Sequence, residues 1–86
     1  MSKQVKMYTT RFCPYCMAAR SLLDDKNVDY QDIAVDGRNE LRQEMMQLSG
    51  RNTVPQIWIG DQHIGGFDDL NLLNRQGQLD SLLQAS

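Results

Sequence analysis

Apolar and polar residues follow two different periods along the chain, and these periods predict the order of its elements. Residues 4–8 partly alternate and are rich in β-forming residues, which predicts a short strand. Apolar residues then recur at helical spacing through residues 17–25, and residues 28–33 alternate once more. A strand, a helix and a strand in this order predict a β-α-β unit with parallel strands and a right-handed crossover.

A second helix is predicted over residues 38–48. Its apolar stripe has helical spacing and consists of Leu41, Met45 and Leu48. Asp36 precedes this segment as the expected N-cap, and Gly50 follows it where a helix commonly ends. The adjacent Met45 and Met46 are both expected to fill the core.

The C-terminal half is predicted to contain a hairpin followed by two helices. Residues 55–59 and 62–64 are rich in β-forming residues and flank the turn signal Gly60-Asp61, so these two strands should be antiparallel. Pro55 lacks a backbone N–H and is expected at the start of its strand. Gly77 is expected to separate the last two helices. Their inward-facing positions are predicted to be Leu70, Leu73, Leu79, Leu82 and Leu83.

The predicted order β-α-β-α-β-β-α-α places the chain in the α/β class, as a four-stranded mixed sheet flanked by helices. A length of 86 residues, with 41% hydrophobic and 23% charged residues, is typical of a single soluble domain spanning residues 1–86. The net charge of −2 and the pI near 5.1 disfavour nucleic-acid binding. No apolar run approaches the roughly 18–20 residues that span a membrane, so no membrane association is expected.

Two features of the sequence, its N-terminal residues and its use of cysteine, indicate the compartment of the protein. Residues 1–5 are not followed by an apolar segment, so no signal peptide is expected. Both cysteines of the chain lie in one motif, unlike the several spaced cysteines of a secreted scaffold built on disulfides. We therefore expect the protein in the reducing cytoplasm. We also expect it to be a monomer.

The cysteine pair lies at the predicted junction of the first strand and the first helix. Pro14 suits the first helical position, which makes Cys13 the N-cap and puts Cys16 on the same side of the first turn. Cβ atoms at that spacing are roughly 5–6 Å apart, near enough for a disulfide with small adjustment. Cys13 would face the free N–H groups and the positive end of the helix, which favour a thiolate. The pair is therefore predicted to cycle between dithiol and disulfide, with Cys13 exposed and Cys16 packed inward.

Two other roles for the cysteine pair are less well supported. A structural disulfide at this spacing closes a very small loop and stabilises little. A closed zinc site needs four ligands, and the remaining good ligand is His63, which is alone and far along the chain. His63 is instead expected to be a solvent-side strand residue, and Trp58 to cover the sheet. No metal is expected.

The chain carries three separated motifs that resemble those of a dithiol glutaredoxin: Cys13-Pro14-Tyr15-Cys16, Thr53-Val54-Pro55 and Gly65-Gly66-Phe67-Asp68-Asp69. The resemblance covers essentially the whole chain, including element order and length. It implies the thioredoxin fold and a disulfide oxidoreductase that uses glutathione as co-substrate. Its substrates would be glutathionylated and disulfide-containing proteins, with ribonucleotide reductase as one candidate partner.

The resemblance also implies a set of glutathione contacts. Val54–Pro55 would be a cis bond, and the unpaired Val54 backbone would receive the cysteine residue of glutathione as an added strand. The N–H groups of Phe67 and Asp68 would bind the glutamyl carboxylate, while Asp69 or Asp68 would attract its ammonium. The expected contacts are Arg11, Tyr15, Arg42, Thr53, Val54, Pro55, Gly66, Phe67, Asp68 and Asp69.

The glycyl carboxylate of glutathione requires a cation. Arg42 lies on the second helix at a position that contacts glutathione in the family. Many relatives carry a lysine three residues before the nucleophile, where this chain has Thr10, so the neighbouring Arg11 is the second candidate. Tyr15 is expected to be exposed, with its ring against bound glutathione.

The expected reaction begins with attack of the Cys13 thiolate on a glutathione-bearing disulfide sulfur. A second glutathione, or Cys16, then resolves the bond between Cys13 and glutathione. Two alternatives stay open. One is reduction of the thioredoxin type by a flavoprotein reductase, although the motif C-G-P-C is absent. The other is an iron–sulfur scaffold held by Cys13 and glutathione from two subunits, which the proline after Cys13 is expected to disfavour.

Overall fold

The computed structural model describes residues 4–84, and its element order matches the order predicted from the sequence. Four strands form one sheet, and helices cover both of its faces. The elements are β1 (Val5–Thr9), α1 (Pro14–Asp25), β2 (Tyr30–Ala34), α2 (Asn39–Ser49), β3 (Gln56–Ile59), β4 (Gln62–Gly65), α3 (Phe67–Arg75) and α4 (Leu79–Gln84). In this part of the chain, no helix has both the length and the apolar character needed to cross a membrane.

The sheet has the strand order β2-β1-β3-β4. β1 and β2 are parallel, as expected for strands joined by the crossover helix α1. β3 is antiparallel to both β1 and β4, so the predicted hairpin and the mixed sheet are confirmed. Tyr8 pairs with Gln56, and Ile57 with Gly65. The end of β1, the start of β3 and the end of β4 therefore meet at one edge of the sheet.

One face of the sheet is covered by α1, α3 and α4. Alternate side chains of β1 and β3 point to this face and are buried against the helices. The buried residues of this cluster are Val5, Met7, Ala19, Leu23, Ile57, Ile59, Leu70, Leu79 and Leu83. Leu73 and Leu82 are partly buried at its margin, so every leucine of α3 and α4 that was predicted to point inward contacts this core.

The opposite face of the sheet is covered by α2. Tyr8, Val35, Met45 and Trp58 form its buried cluster. The hydroxyl of Tyr8 donates to the carboxylate of Glu44 on α2 at 2.5 Å. Burial, together with this hydrogen bond, raises the pKa of Tyr8 to about 12. Trp58 meets Tyr8 edge to face with ring centroids 5.5 Å apart, so it covers the sheet as predicted.

Helix α2 confirms one predicted boundary and corrects the other. Its N-cap is Arg38, which makes no side-chain capping bond, so the prediction that Asp36 caps this helix is wrong. Asp36 lies too far before the first turn to reach its N–H groups. Its carboxylate instead accepts the backbone N–H of Arg11 at 3.1 Å. Gly50 ends the helix in the left-handed conformation, with a φ of 72°.

The apolar stripe of α2 is only partly buried. Met45 is fully buried, whereas 41% of Met46 and 54% of Leu48 are exposed. Met46 follows Met45 directly and so points about 100° away from it around the helix. Leu48 lies in the last turn, beside the exposed loop at residues 50–53. The predictions that Met46 fills the core and that Leu48 faces inward are therefore wrong.

Leu70 and Leu72 on α3 provide a matched test of this packing. Leu70 is completely buried, whereas 53% of Leu72 is exposed. Leu70→Ala should lower the free energy of unfolding by about 2–5 kcal/mol, because it removes apolar contacts and leaves a cavity. Leu72→Ala should change it by less than about 0.5 kcal/mol. Urea denaturation followed by circular dichroism measures both values, and equal losses would contradict the burial of α3 described above.

Candidate active site

Helix α1 begins at a cysteine. Cys13 is its N-cap, Pro14 is its first residue, and the Sγ of Cys13 accepts the backbone N–H of Cys16 at 3.2 Å. The sulfur thus takes the place that a hydroxyl or carboxylate oxygen usually has in a capping residue. An anion at this position is stabilised by the helix N–H groups and by the helix dipole. The geometry therefore suits Cys13 as the thiolate nucleophile.

The two thiols lie in different environments. Both cysteines are free, and 8% of Cys13 but none of Cys16 is exposed. Burial, followed by the hydrogen bond with Cys13, raises the pKa of the Cys16 thiol to about 12. The prediction that Cys16 packs inward is confirmed. The prediction that Cys13 is exposed is wrong, because the loop before β3 lies against its sulfur, with the Val54 carbonyl 3.8 Å away.

The loop before β3 presents its backbone to Cys13. The bond between Val54 and Pro55 is cis, as expected from the motif. The side-chain amide of Gln56 holds this loop, since it donates to the carbonyl of Thr53 at 3.0 Å and to its hydroxyl at 3.2 Å. Gln56 is itself completely buried. Val54 is therefore held beside the reactive sulfur by polar contacts from a buried glutamine.

His63 supports the same loop through Gln56. Its Nε2 lies 2.8 Å from the Oε1 of Gln56, and its ring packs on Trp58 with centroids 4.7 Å apart. The amide nitrogen of Gln56 already bonds Thr53, so the Oε1 accepts and the Nε2 of His63 carries the proton. Burial, and then the charge of Arg51, lower the pKa of His63. The prediction of a solvent-side His63 is wrong: the side chain is half-buried and hydrogen-bonded.

Helix α3 begins after Gly66 and has Asp68 and Asp69 in its first turn. The Oδ2 of Asp69 accepts the N–H of Gly66 at 3.0 Å and the guanidinium of Arg51 at 3.1 Å. The hydrogen bond from Gly66, supported by Arg51, lowers the pKa of Asp69. Gly65 has a φ of 118°, and a Cβ atom there would overlap the carboxylate of Asp69. A glycine is therefore required at this position.

Arg51 is a site residue that the sequence analysis missed. It lies in the loop after α2, where its backbone N–H donates to the Oγ of Ser49 at 3.0 Å. Its side chain reaches α3 and forms the ion pair with Asp69. A partly exposed arginine outside the three motifs carries no local signal, because its partner is distant in the sequence. Only the fold brings the two residues together.

A cavity of about 300 Å³ opens beside the cysteine motif. Its lining consists of Tyr15, Arg51, Thr53, Val54, Pro55, Gly66, Phe67, Asp68 and Asp69. The fold thus brings together most of the residues expected to contact glutathione. Tyr15 is 61% exposed at the edge of this cavity, as predicted. Among residues 4–84, no cluster of three or more His, Cys, Asp or Glu side chains could hold a metal ion.

Two of the expected glutathione contacts lie outside the cavity lining. Arg42 is on α2, and its Nη1 lies 3.5 Å from the carbonyl of Asn52, which is next to the cavity-lining Arg51 and Thr53. Arg42 is therefore close to the rim of the cavity. Arg11 instead lines a separate cleft.

A free dithiol at the start of a helix, beside a loop that ends in a cis-proline, defines a thiol–disulfide oxidoreductase of the thioredoxin fold. Comparison with known proteins gives the family. The sequence model described as "Glutaredoxin" matches residues 5–64. The chain is 57% identical over 81 residues to a glutaredoxin of Pseudomonas aeruginosa, covering 94% of this chain and 96% of that protein. It is 51% identical over 80 residues to glutaredoxin 3 of Escherichia coli, covering 93% and 96%.

Solved structures give the same result. The solution structure of a glutaredoxin from Brucella melitensis has a TM-score of 0.86 and 48% identity, covering 96% of this chain and 90% of that one. A crystal structure of a buckwheat glutaredoxin–glutathione complex has a TM-score of 0.86 and 30% identity, covering 92% and 74%. The chain therefore belongs to the glutaredoxin family, and it is a thiol–disulfide oxidoreductase.

Replacing Arg51 tests the electrostatics of this site. Arg51→Gln should raise the pKa of both Asp69 and His63, because the guanidinium favours the Asp69 carboxylate and opposes protonation of His63. NMR titration measures both values, and His63 is the only histidine of the chain, so its signal is isolated. Arg75→Gln, the same change at the far end of α3, should leave both unchanged. An unaltered pKa of His63 in Arg51→Gln would show that the charge of Arg51 does not act on His63 as described.

Proposed function

We propose that the protein is a glutathione-dependent oxidoreductase that reduces protein–glutathione mixed disulfides and protein disulfides. The proposal is carried by the cavity beside the cysteine motif, which is lined by both the loop around Val54 and the first turn of α3. The loop offers peptide-backbone pairing, and the helix start offers an anion site. Glutathione is a γ-glutamyl tripeptide with a central thiol, and its binding needs both the backbone pairing and the anion site. In support, the buckwheat glutaredoxin to which the chain is similar was solved as a complex with glutathione.

The cysteine residue of glutathione fits against Val54. The Val54 carbonyl lies 3.8 Å from the Sγ of Cys13. A peptide that pairs with the Val54 backbone as an added strand therefore brings its own sulfur to Cys13. Backbone pairing accepts many side chains, so the selection of glutathione must come from its two charged ends.

The γ-glutamyl end fits the start of α3. The N–H groups of Phe67 and Asp68 belong to the first turn and have no acceptor within the helix, so they can bind a carboxylate. Asp68 and Asp69 both line the cavity, but Asp69 is already bound to Gly66 and Arg51. Asp68 is therefore the better partner for the ammonium group. Arg51 also lines the cavity, and its positive charge attracts the glutamyl carboxylate.

The glycyl end requires a second cation. Arg42 is better placed for it than Arg11, because its guanidinium contacts the segment at the cavity rim, while Arg11 lines a separate cleft. The ring of Tyr15, exposed at the cavity edge, can cover the bound peptide. All of these residues come from one chain, so a monomer suffices, and the reducing cytoplasm is the compartment that supplies glutathione and glutathionylated proteins.

Removal of glutathione from a protein uses Cys13 alone. The Cys13 thiolate attacks the glutathione sulfur of the mixed disulfide. The S–S bond breaks, and the protein sulfur leaves as a thiolate that takes up a proton. A second glutathione thiolate then attacks the glutathione sulfur on Cys13, which forms glutathione disulfide and restores the Cys13 thiolate. One new glutathione is consumed in each cycle.

Reduction of a protein disulfide requires Cys16 as well. Burial and the hydrogen bond with Cys13 raise the pKa of Cys16 to about 12, so this thiol is protonated at pH 7 and does not compete as the first nucleophile. Burial is the first cause of the raised pKa of Cys16, and the hydrogen bond and charge of Cys13 add to it. These two added effects are lost once Cys13 is bonded to the substrate. Cys16 then attacks the Sγ of Cys13, forms the Cys13–Cys16 disulfide and releases the substrate as a dithiol. Two glutathione molecules reduce this disulfide in turn.

Serine substitutions separate the roles of the two cysteines. Cys13→Ser should abolish both reactions, because it removes the attacking thiolate. Cys16→Ser should keep removal of glutathione from a mixed disulfide and lose most reduction of a protein disulfide, because only the second reaction needs two thiols. Glutathione-coupled assays with one substrate of each kind measure both. Loss of both reactions in Cys16→Ser would show that the roles are wrongly assigned.

Asp68→Asn tests the ammonium contact. The change should raise the KM for glutathione roughly 3- to 10-fold with little effect on kcat, because the attraction is the same in the ground state and the transition state. Asp61→Asn, the same change at an exposed position in the β3–β4 turn, is the matched control and should have no effect. An unchanged KM in Asp68→Asn would remove the contact from the proposal.

A further inference from the structure

Exposed apolar side chains are concentrated around the reactive sulfur. Within residues 4–84, the exposed large hydrophobic residues are Phe12, Tyr15, Met17, Met46, Leu48 and Leu72. Half of them, Phe12, Tyr15 and Met17, lie within four positions of Cys13. Tyr15 lines the cavity assigned above to glutathione, but Phe12 and Met17 have no part in that assignment.

Phe12 is the most exposed residue of this group. It directly precedes Cys13 in the sequence, and 90% of it is exposed. The ring therefore packs against almost nothing in the protein, although the next residue, Cys13, is buried. Covering an exposed phenylalanine side chain is worth roughly 10- to 100-fold in binding. A partner that covers this ring gains that factor only when it is close to Cys13.

The surface next to Phe12 is positively charged. A cleft of about 380 Å³ is lined by Arg11, the residue before Phe12. The charged residues of the cleft lining are Arg11, Arg20, Arg38, Asp32 and Asp36. Arg20 and Asp32 form an ion pair at 2.6 Å and cancel each other. The remaining charged residues of the lining are Arg11, Arg38 and Asp36, which together carry one net positive charge. The cleft is thus locally positive, although the whole chain carries a net charge of −2.

We propose that Phe12, Met17, Arg11 and Arg38 form a docking surface for polypeptide disulfides. The partner is a disulfide whose reacting cysteine has an apolar neighbour and an acidic residue beyond it. A substrate sulfur that bonds to Cys13 brings its neighbouring residue against Phe12, and the next residue to the position of Arg11. Arg11 and Phe12 form a turn directly before Cys13, so the residues nearest the substrate cysteine are the ones that reach them.

The docking surface lies apart from the glutathione cavity, since the cavity lining contains none of its members. The surface therefore distinguishes among protein substrates without changing the reaction with small disulfides. The inference depends on the proposed function only in that Cys13 is the attacking thiolate. That step is one exchange: the Cys13–substrate S–S bond forms, the substrate S–S bond breaks, and the leaving thiolate takes up a proton.

The test uses the reduced protein in a single turnover without glutathione, so that failure of glutathione turnover does not affect it. The substrate is the disulfide-linked dimer of the end-blocked peptide Glu-Leu-Cys-Leu-Glu, and chromatography follows release of the peptide thiol. One control peptide has serine in place of leucine, and another has glutamine in place of glutamate. The symmetric sequence presents the same pattern in both chain directions. A small hydroxyalkyl disulfide reports the basal reaction.

The first variant is Phe12→Ser, which alters an exposed side chain and so keeps the fold. It should lower the rate with the leucine peptide about 5- to 10-fold, and change the rates with the serine peptide and the small disulfide by less than about 2-fold. Leu72→Ser is the matched control, because it removes another exposed apolar side chain, which lies on α3. It should affect none of the three substrates.

The second variant is Arg38→Gln, which tests the charge. Arg38 makes no side-chain capping bond, so the change leaves α2 intact. It should slow the glutamate peptide about 2- to 4-fold and leave the glutamine peptide unchanged, with the difference disappearing at high salt.

Three results would overturn the inference. An equal loss on all substrates in Phe12→Ser would mean that the ring only supports the geometry of Cys13. An unchanged rate with the leucine peptide would mean that the ring contributes nothing to docking. Concentration-dependent association of the protein in sedimentation, abolished by Phe12→Ser, would mean that a second copy of the chain covers the surface instead.

Discussion

The hydrogen bond from the backbone N–H of Cys16 to the Sγ of Cys13, at 3.2 Å, is the contact around which the site is arranged. It makes the reactive sulfur part of the start of α1 rather than the tip of a free side chain. Helix α1 is itself held by Ala19 and Leu23, which are completely buried against the sheet. The apolar core therefore fixes the nucleophile directly, and a change in packing beneath α1 moves the sulfur as well as the helix.

The ligand-binding half of the site is held by a different kind of interaction. The sheet topology brings the start of β3 and the end of β4 to the end of β1, but polar contacts set the final geometry there. Gln56 connects His63 to the loop at Thr53, and Arg51 connects the loop after α2 to Asp69. Partly exposed polar pairs contribute little to stability, about 1 kcal/mol or less each. Their main effect is to fix the direction in which the backbone groups of the cavity point.

This division explains how much of the protein could be predicted from its sequence. The order of the elements, the capping position of Cys13 and the end of α2 at Gly50 follow from signals within a few residues, and they were predicted. Arg51 was missed, and the burial of Cys13 was misjudged, because both depend on contacts between segments far apart in the sequence. The error at Asp36 has the same origin: a capping residue is a local prediction, but the carboxylate bonds Arg11 across the sheet edge.

The proposed glutathione cavity and the proposed docking surface differ in the way that the two proposed classes of substrate would require. Glutathione is one molecule of fixed length, so a concave cavity with charges at set positions can select it. Protein disulfides vary in sequence and shape, and a closed cavity that fitted one would exclude the others. An exposed ring beside a weakly positive cleft can contact partners of different sequence and shape. Under the proposed function, Cys13 lies between the cavity and the docking surface, so a single sulfur would exchange with both substrates in turn, while Cys16 stays behind it and contacts neither.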